Sequence, residues 1–338
     1  MDKVRILGIE TSCDETSAAV VEDGRRVCSN IIYSQIDIHR KYGGVVPEIA
    51  SRNHIVKIDQ VVEAALDKAG LGVGDIDAVA VTFGPGLVGA LLVGLNFGKA
   101  LAYARGLPLV GVHHIAGHIA SNYLENYDFE PPFMALVVSG GHTQLIHVKD
   151  YDSFEILGKS LDDAAGEAYD KVARSIDLPY PGGVEIDRLA ASGDGGAIDF
   201  PRAWLGRDSL DFSFSGLKSA VLNYLNQAKM AGRAVDFADV AASFQEAVVE
   251  VLAKKALGAC FAAGVKRLAV AGGVACNSRL RAVLEAECRR AGVALNIPAP
   301  VFCTDNAAMI AAAGFYHYRK GRFAGLELNA VPSLEIRN

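Results

Sequence analysis

The 338-residue sequence predicts an α/β protein in which one lobe is given twice. Three observations carry that prediction. A three-stranded meander opens the chain, a second begins near residue 133, and each is followed by a strand that runs through glycines into a helix. At one domain per roughly 150 residues, the length suits two domains, each able to bury a core without disulfides.

Residues 4–10 form a strand, 11–16 a tight polar turn and 17–22 a second strand. An Asp23-Gly24 turn then leads to a third strand over 27–33. Pro47 opens a helical pattern in which Ile49, Ile55, Ile58, Val62, Ala65, Leu66 and Ala69 recur at three-to-four-residue spacing, and Gly70 closes it. The apolar run 76–83 reads as a strand entering Gly84-Pro85-Gly86, followed by a small-residue helix to about residue 105 and a short strand at 107–112. The second meander is 133–139, a Gly140-Gly141 turn, 143–148, another turn and 154–158. Later come a strand at 267–271, Gly272-Gly273 and a helix at 277–292. A last apolar helix, 306–318, is expected to return to the first lobe. This is the layout of the duplicated actin-like, sugar-kinase-like and Hsp70-like ATPases, whose two hairpin turns hold phosphates across a nucleotide cleft. The expected domains are 1–108 plus 305–330, and 109–304, hinged rather than loosely tethered.

With 33 Lys and Arg against 39 Asp and Glu, the net charge is −6, so a polynucleotide partner needs a local basic patch or a second protein. No secretory h-region precedes the first acidic residues. The most apolar stretch, 84–112, is interrupted by Lys99 and Arg105, so no membrane span is expected. Cys13, Cys28, Cys260, Cys276, Cys288 and Cys303 form no CxxC pair, which argues against a zinc ribbon or a disulfide framework. A cytoplasmic protein is the expectation.

The first turn places Asp14 and Glu15 among Thr11, Ser12, Thr16 and Ser17, where carboxylates can hold a cation or take a proton and the hydroxyls and N–H groups can bind phosphate. A solvated turn uses the same residues. The second turn, Ser139-Gly140-Gly141-His142-Thr143, offers glycines for close approach of a ligand and hydroxyl donors, although hairpins also need glycine for geometry. His114 and His118 stand at i and i+4, so one helical face carries both imidazoles, a chelating spacing for one metal. Ile115 stands where a zinc protease places its general-base Glu, which disfavours that chemistry. Asp305 is a candidate third ligand and equally a candidate helix N-cap. Asn277 suits either a nucleoside contact or a helix start, and Asp170 either a ribose contact or a solvated helix face. Residues 211–218 read as a helix lead-in with buried phenylalanines, or as a base contact.

The segments 7–16, 42–48, 84–87, 114–118, 138–143 and 211–218 together resemble the bacterial form of the universal tRNA threonylcarbamoyladenosine transferase family, formerly called a glycoprotease family, over about residues 4–319. The resemblance implies transfer of threonylcarbamoyl from threonylcarbamoyl-adenylate to N6 of adenosine 37 in tRNAs reading ANN codons, with AMP released. It implies His114, His118 and Asp305 as ligands of one divalent metal, Fe2+ first and Zn2+ or Mg2+ as alternatives. Val137, Val138, Ser139, Gly140, Gly141, Asp170, Gly183, Asp187 and Asn277 would hold the adenylate, with ATP or ADP fitting the same cleft. Asp14 and Glu15 match acidic residues needed for activity. The implied partners are tRNA, a paralogous actin-fold protein lacking the metal site and a small P-loop ATPase. The small-residue helix 86–104 is a candidate face for a heterodimer or homodimer, or equally a buried helix.

Two other classes compete. A small-molecule kinase of the actin-like fold would have no use for the histidine pair, and a nucleotide-switched binding module would deliver lobe closure as its output. Lys41, Arg52, Lys171, Arg202, Arg207 and Lys218 are candidate tRNA contacts by proximity to motifs, with surface solvation the ordinary reading.

Overall fold

The computed structural model describes residues 3–206 and 209–336, so the candidate Arg207 lies outside the described residues. The chain opens with β1 (Arg5–Glu10), β2 (Glu15–Glu22), β3 (Arg26–Ser34), α1 (Ile36–His39) and α2 (Pro47–Ala69). It continues through β4 (Ala78–Gly84), α3 (Val88–Arg105), β5 (Leu109–His113) and α4 (His114–Ala120). Next come β6 (Phe133–Val138), β7 (Thr143–Asp150), β8 (Ser153–Lys159), α5 (Ala165–Ser175), α6 (Gly182–Ala190), α7 (Ser215–Met230) and α8 (Phe237–Ala263). The last elements are β9 (Arg267–Ala271), α9 (Ser278–Ala291), β10 (Ala294–Asn296), α10 (Pro300–Cys303) and α11 (Ala307–Arg319).

The duplication is visible in the sheets. The first runs β3-β2-β1-β4-β5 and the second β8-β7-β6-β9-β10, the same order with each strand replaced by its counterpart. β1 pairs antiparallel with β2, ending at Glu10 opposite Ser17, and parallel with β4. That register leaves residues 11–14 to turn at the carboxyl end of β1, where ligands of open α/β sheets commonly bind. β9 runs parallel to β6 and to β10 in the second sheet.

Pro47 at the first turn and Gly70 at φ +67° bound α2 as their chemistry dictates. Its core face is Ala50, His54, Ile58, Val61, Val62, Ala65 and Leu66, and burial of each Ile, Val or Leu there contributes about 1.5–3 kcal/mol. Ile55, read from the spacing as a core residue, is 64% exposed, and His54 takes the inward position instead. In α3 the small residues face inward. A Cβ on Gly94 would lie 2.4 Å from Thr11 Oγ1, and one on Gly98 would lie 2.2 Å from Val81 Cγ1. The stripe considered as a dimer face is therefore used in packing α3 onto its own sheet.

Two compact units result, one of residues 1–131, 148–154 and 298–338, the other of 132–147 and 155–297. Residues 109–131 belong to the first unit, not the second as the sequence reading had it, because β5 pairs in parallel with β4 and α4 follows it directly. In the first unit α11 packs on β1 and β2, and its Ala307 N–H donates to Ser17 Oγ at 2.9 Å. In the second unit β6 is wholly buried, and α8 is buried along most of its 27 residues. No helix among the described residues is long and apolar enough to cross a membrane.

Candidate metal centre and nucleotide-binding network

β5 delivers the chain straight into α4, whose start is capped by His113 Nδ1 accepting from the Ile115 N–H at 3.1 Å. His114 and His118 then lie one above the other, ring centroids 4.6 Å apart at 78°. Asp305 comes from the segment before α11. Its Oδ1 is 3.1 Å from His118 Nε2 and 3.6 Å from His114 Nε2, and one ligand atom from each of the three residues falls within 4.8 Å of the others. The cap of α11 is Asn306, whose Oδ1 accepts from the Met309 N–H at 3.1 Å, so the N-cap alternative for Asp305 does not hold.

The donor set fits a divalent metal. His118 is fully buried, and apart from the Asp305 carboxylate 3.1 Å from Nε2 its ring nitrogens have no hydrogen-bond partner among the described residues, a cost of about 1–3 kcal/mol per unsatisfied group unless another ligand takes the lone pair. His114 Nδ1 lies 3.3 Å from Glu10 Oε2 and 3.1 Å from Ser12 Oγ, the carboxylate–histidine arrangement that orients a ring and aims its other nitrogen. Burial opposes a charge on His114, but the Asp305 and Glu10 carboxylates outweigh it and raise its pKa to about 9. The Glu10 carboxyl, itself fully buried, is held below the usual range against its own desolvation by His114 and by the Thr82 hydroxyl, whose Oγ1 donates at 2.5 Å. Two imidazoles and one carboxylate suit Fe(II) or Zn(II) with open positions.

Asp14 and Glu15 follow on the same turn. Asp14 is buried, and the Ser34 hydroxyl donates to Glu15 Oε1 at 3.0 Å. Burial, then the neighbouring Asp14 and Asp305 charges, push the Glu15 carboxyl well above the usual carboxylate range, a direction that suits proton transfer near neutrality. The solvated-turn alternative is not what the structure has.

The adenylate candidates all lie in the second unit. The turn after β6 closes on itself, Ser139 N–H donating to His142 O at 2.8 Å and Ser139 Oγ accepting from His142 N at 3.1 Å. A Cβ on Gly140 or Gly141 would meet nothing within 4 Å, so the backbone there is open to a ligand. Gly272, at φ +91°, brings the end of β9 against Val138, whose carbonyl oxygen would lie 2.2 Å from a Cβ. Asp170 is a cap, not a solvated helix face: its Oδ1 accepts from the Gly182 N–H at 2.7 Å, beside Gly183, and burial raises its carboxyl. Asn277 caps α9 through Leu280 N at 2.9 Å, and its Nδ2 donates to Asp187 Oδ1 at 3.0 Å and Gln245 Oε1 at 2.6 Å. Asp187 also accepts from the Ser278 hydroxyl and N–H. One network thus joins Asp187 of α6, Gln245 of α8 and the start of α9, while Asp170 separately holds the start of α6.

Sequence reasoning missed a cavity of about 500 Å³ beside this network, lined by Gly193 to Gly196, Gln245, Glu246 and Arg279 among others. Its residues come from α8, α9 and a loop, with no motif spacing to announce them. The 211–218 segment is a helix lead-in. Asp162 accepts from Ser213 Oγ and Phe214 N, and Phe212 and Phe214 are buried. Of the candidate tRNA contacts, Arg52, Lys171, Arg202 and Lys218 each face a carboxylate of their own chain, while Lys41 is exposed.

Two sheets of identical order, each with glycines at the end of its parallel strand β4 or β9, define the actin-like, sugar-kinase-like ATPase fold. Solved structures agree. HypF from T. kodakarensis superposes with TM-score 0.64 at 15% identity, covering 96% of this chain and 49% of that one. Component A of (R)-2-hydroxyglutaryl-CoA dehydratase from Acidaminococcus fermentans gives 0.54 at 17% identity, covering 94% and 98%. Within that fold the sequence is specific. The family model of tRNA N6-adenosine threonylcarbamoyltransferase (TsaD) matches residues 26–312. Proteins of that name from Clostridium beijerinckii and Clostridium perfringens are each 58% identical over 336 residues, 99% of either chain. The chain belongs to the tRNA N6-adenosine threonylcarbamoyltransferase family and is a transferase whose family acts on tRNA.

Proposed function

We propose that the chain transfers the threonylcarbamoyl group of threonylcarbamoyl-adenylate to N6 of adenosine 37 in tRNAs that read ANN codons. The exocyclic amine attacks the carbamoyl carbon, the new C–N bond replaces the C–O bond to phosphate, and AMP leaves with that electron pair. The amine's proton passes to Asp14 or Glu15. The turn Val137 to Gly141, Asp170 with Gly183, and the Asp187–Asn277 pair hold the adenylate, and the cavity beside that pair offers room for its base. His114, His118 and Asp305 would hold the metal, Fe2+ first by the family resemblance and Zn2+ or Mg2+ next. When bound, such an ion supplies Lewis-acid polarisation of the carbonyl. AMP is a good leaving group, so positioning and charge stabilisation carry most of the rate.

The observation that carries this reading is the convergence of His114, His118 and Asp305 within 4.8 Å in a chain 58% identical to transferases of that name. A paralogous actin-fold partner without the metal site and a small P-loop ATPase complete the reaction system, in the cytoplasm where tRNA is modified. The test is single-turnover transfer with those partners, unmodified tRNA and synthetic adenylate, read by nucleoside mass spectrometry with and without chelation. Product that disappears on chelation supports the reading. No product from partners active beside a known homologue returns the chain to the kinase or nucleotide-switch class.

A further inference from the structure

His54 occupies a core-facing position of α2, where an apolar side chain is the ordinary choice, and its imidazole is fully buried. The ring spans the acidic turn. Nε2 lies 2.9 Å from Cys13 O, and Nδ1 lies 2.7 Å from Thr16 Oγ1, so the two residues it grips are those flanking Asp14 and Glu15. A carbonyl oxygen only accepts, so Nε2 carries a proton; in the neutral ring Nδ1 is then the acceptor of the Thr16 hydroxyl. Desolvation lowers the pKa of His54, and nearby His39 adds to it, against the opposing Cys13 carbonyl, Glu10 and Asp14. From the other side, Gln35 N–H donates to Asp14 O at 3.0 Å, and Gln35 Nε2 lies 3.4 Å from both Ala50 O and His54 Nδ1.

We propose that His54 is a positioning residue for the transfer: a neutral, Nε2-protonated imidazole that clamps Cys13 and Thr16 and thereby sets where the Asp14 and Glu15 carboxylates point. The inference rests on the reading that one of those carboxylates takes the amine's proton. Proton transfer demands hydrogen-bond reach, and a displacement near 1 Å costs about 10²-fold in rate. A turn tied only to its own strands would have no fixed reference to α2, and the His54 ring supplies one through two bonds on opposite sides of the reacting groups.

The experiment compares His54→Ala, His54→Gln and Thr16→Val in single-turnover transfer, with bound metal per chain and thermal midpoint measured on the same samples. His54→Ala is expected to lower kcat by about 10- to 100-fold with the KM for adenylate unchanged. Glutamine, which keeps one donor and one acceptor, restores most of it. Thr16→Val, which removes only the hydroxyl, lowers kcat in the same direction at wild-type metal content and midpoint. Nitrogen-15 NMR of the wild-type protein is expected to show His54 protonated at Nε2 and bare at Nδ1. If the alanine variant does not fold, the glutamine and Thr16 variants and the NMR signature still decide. A wild-type kcat in the His54 and Thr16 variants, a loss that follows metal content or folded fraction, or an Nδ1-protonated or charged ring overturns the proposal. Wild-type kcat in Asp14→Asn and Glu15→Gln removes the acid-base reading beneath it, and the clamp's role with it. Impaired carboxylate variants beside unimpaired His54 and Thr16 variants remove the clamp alone.

Discussion

Asp305 Oδ1 lies 3.1 Å from Nε2 of His118, although the sequence of the entire second unit stands between them. Neither residue is placed for the other by local structure. His118 is carried by α4, which follows β5, and Asp305 by the segment entering α11. The packing of α11 on α4 is what brings a carboxylate to a fully buried imidazole.

Replacing His114, His118 or Asp305 with alanine is expected to lower metal affinity by more than the roughly 10- to 100-fold typical of an outer-sphere change. Transfer should fall with it even with excess magnesium present. Equilibrium dialysis with Fe2+ or Zn2+ and elemental analysis measure this, and wild-type metal content in all three variants would refute the centre.

Asp14→Asn and Glu15→Gln keep the shape of the turn and remove the basic oxygen. One of them should slow single-turnover transfer by about 10²–10⁴-fold, the usual worth of a positioned general base. Unaltered rates in both would leave the amine's proton to solvent.

The sequence displayed much of this in advance, for reasons that differ by residue. Strands and turns were legible because alternation and glycine placement are local. The His114–His118 pair was legible because helical spacing is local too. The role of Asp170 as cap of α6 was not, since it depends on where α6 begins. The inward turn of His54 was hidden because a helix pattern is read through apolar residues, and Ile55 next to it suggested the wrong face. The 109–131 segment was assigned to the wrong unit because a strand's partner cannot be read from the strand: β5 pairs with β4.

Asp170 makes a pH prediction with a definite sign. Burial raises its folded pKa above the unfolded value of about 3.9, so the folded state binds the proton more tightly. Its contribution to stability is therefore full in acid and is lost as pH rises through the folded value. Asp170→Asn retains an acceptor for Gly182 N–H and has no charge to bury, so the variant gains stability relative to wild type from acid to neutral pH. Urea titrations at two pH values decide this, and a difference independent of pH would count against it.

Two glycine-to-alanine changes separate folding from binding. Gly272→Ala meets Val138 O and an unfavourable φ, and should cost at least about 1–3 kcal/mol in a denaturant titration. Gly140→Ala meets no atom of the protein. It should leave stability near wild type and weaken adenylate binding, measurable by calorimetry. The reverse pattern would misplace the nucleotide turn.

The first unit is interrupted in sequence by the whole of the second, and the segment entering its last helix brings Asp305. A chain emerging from the ribosome therefore exposes β1 to α4 long before α11 exists to cover them, while the second unit already has every residue it needs. The inserted unit is free to fold during synthesis, and the three candidate ligands can come together only once Asp305 has cleared the exit tunnel. Truncation or stalling short of Asp305 would leave the Asn277–Asp187 hydrogen bonds of the inserted unit in place and remove one of the three candidate ligands.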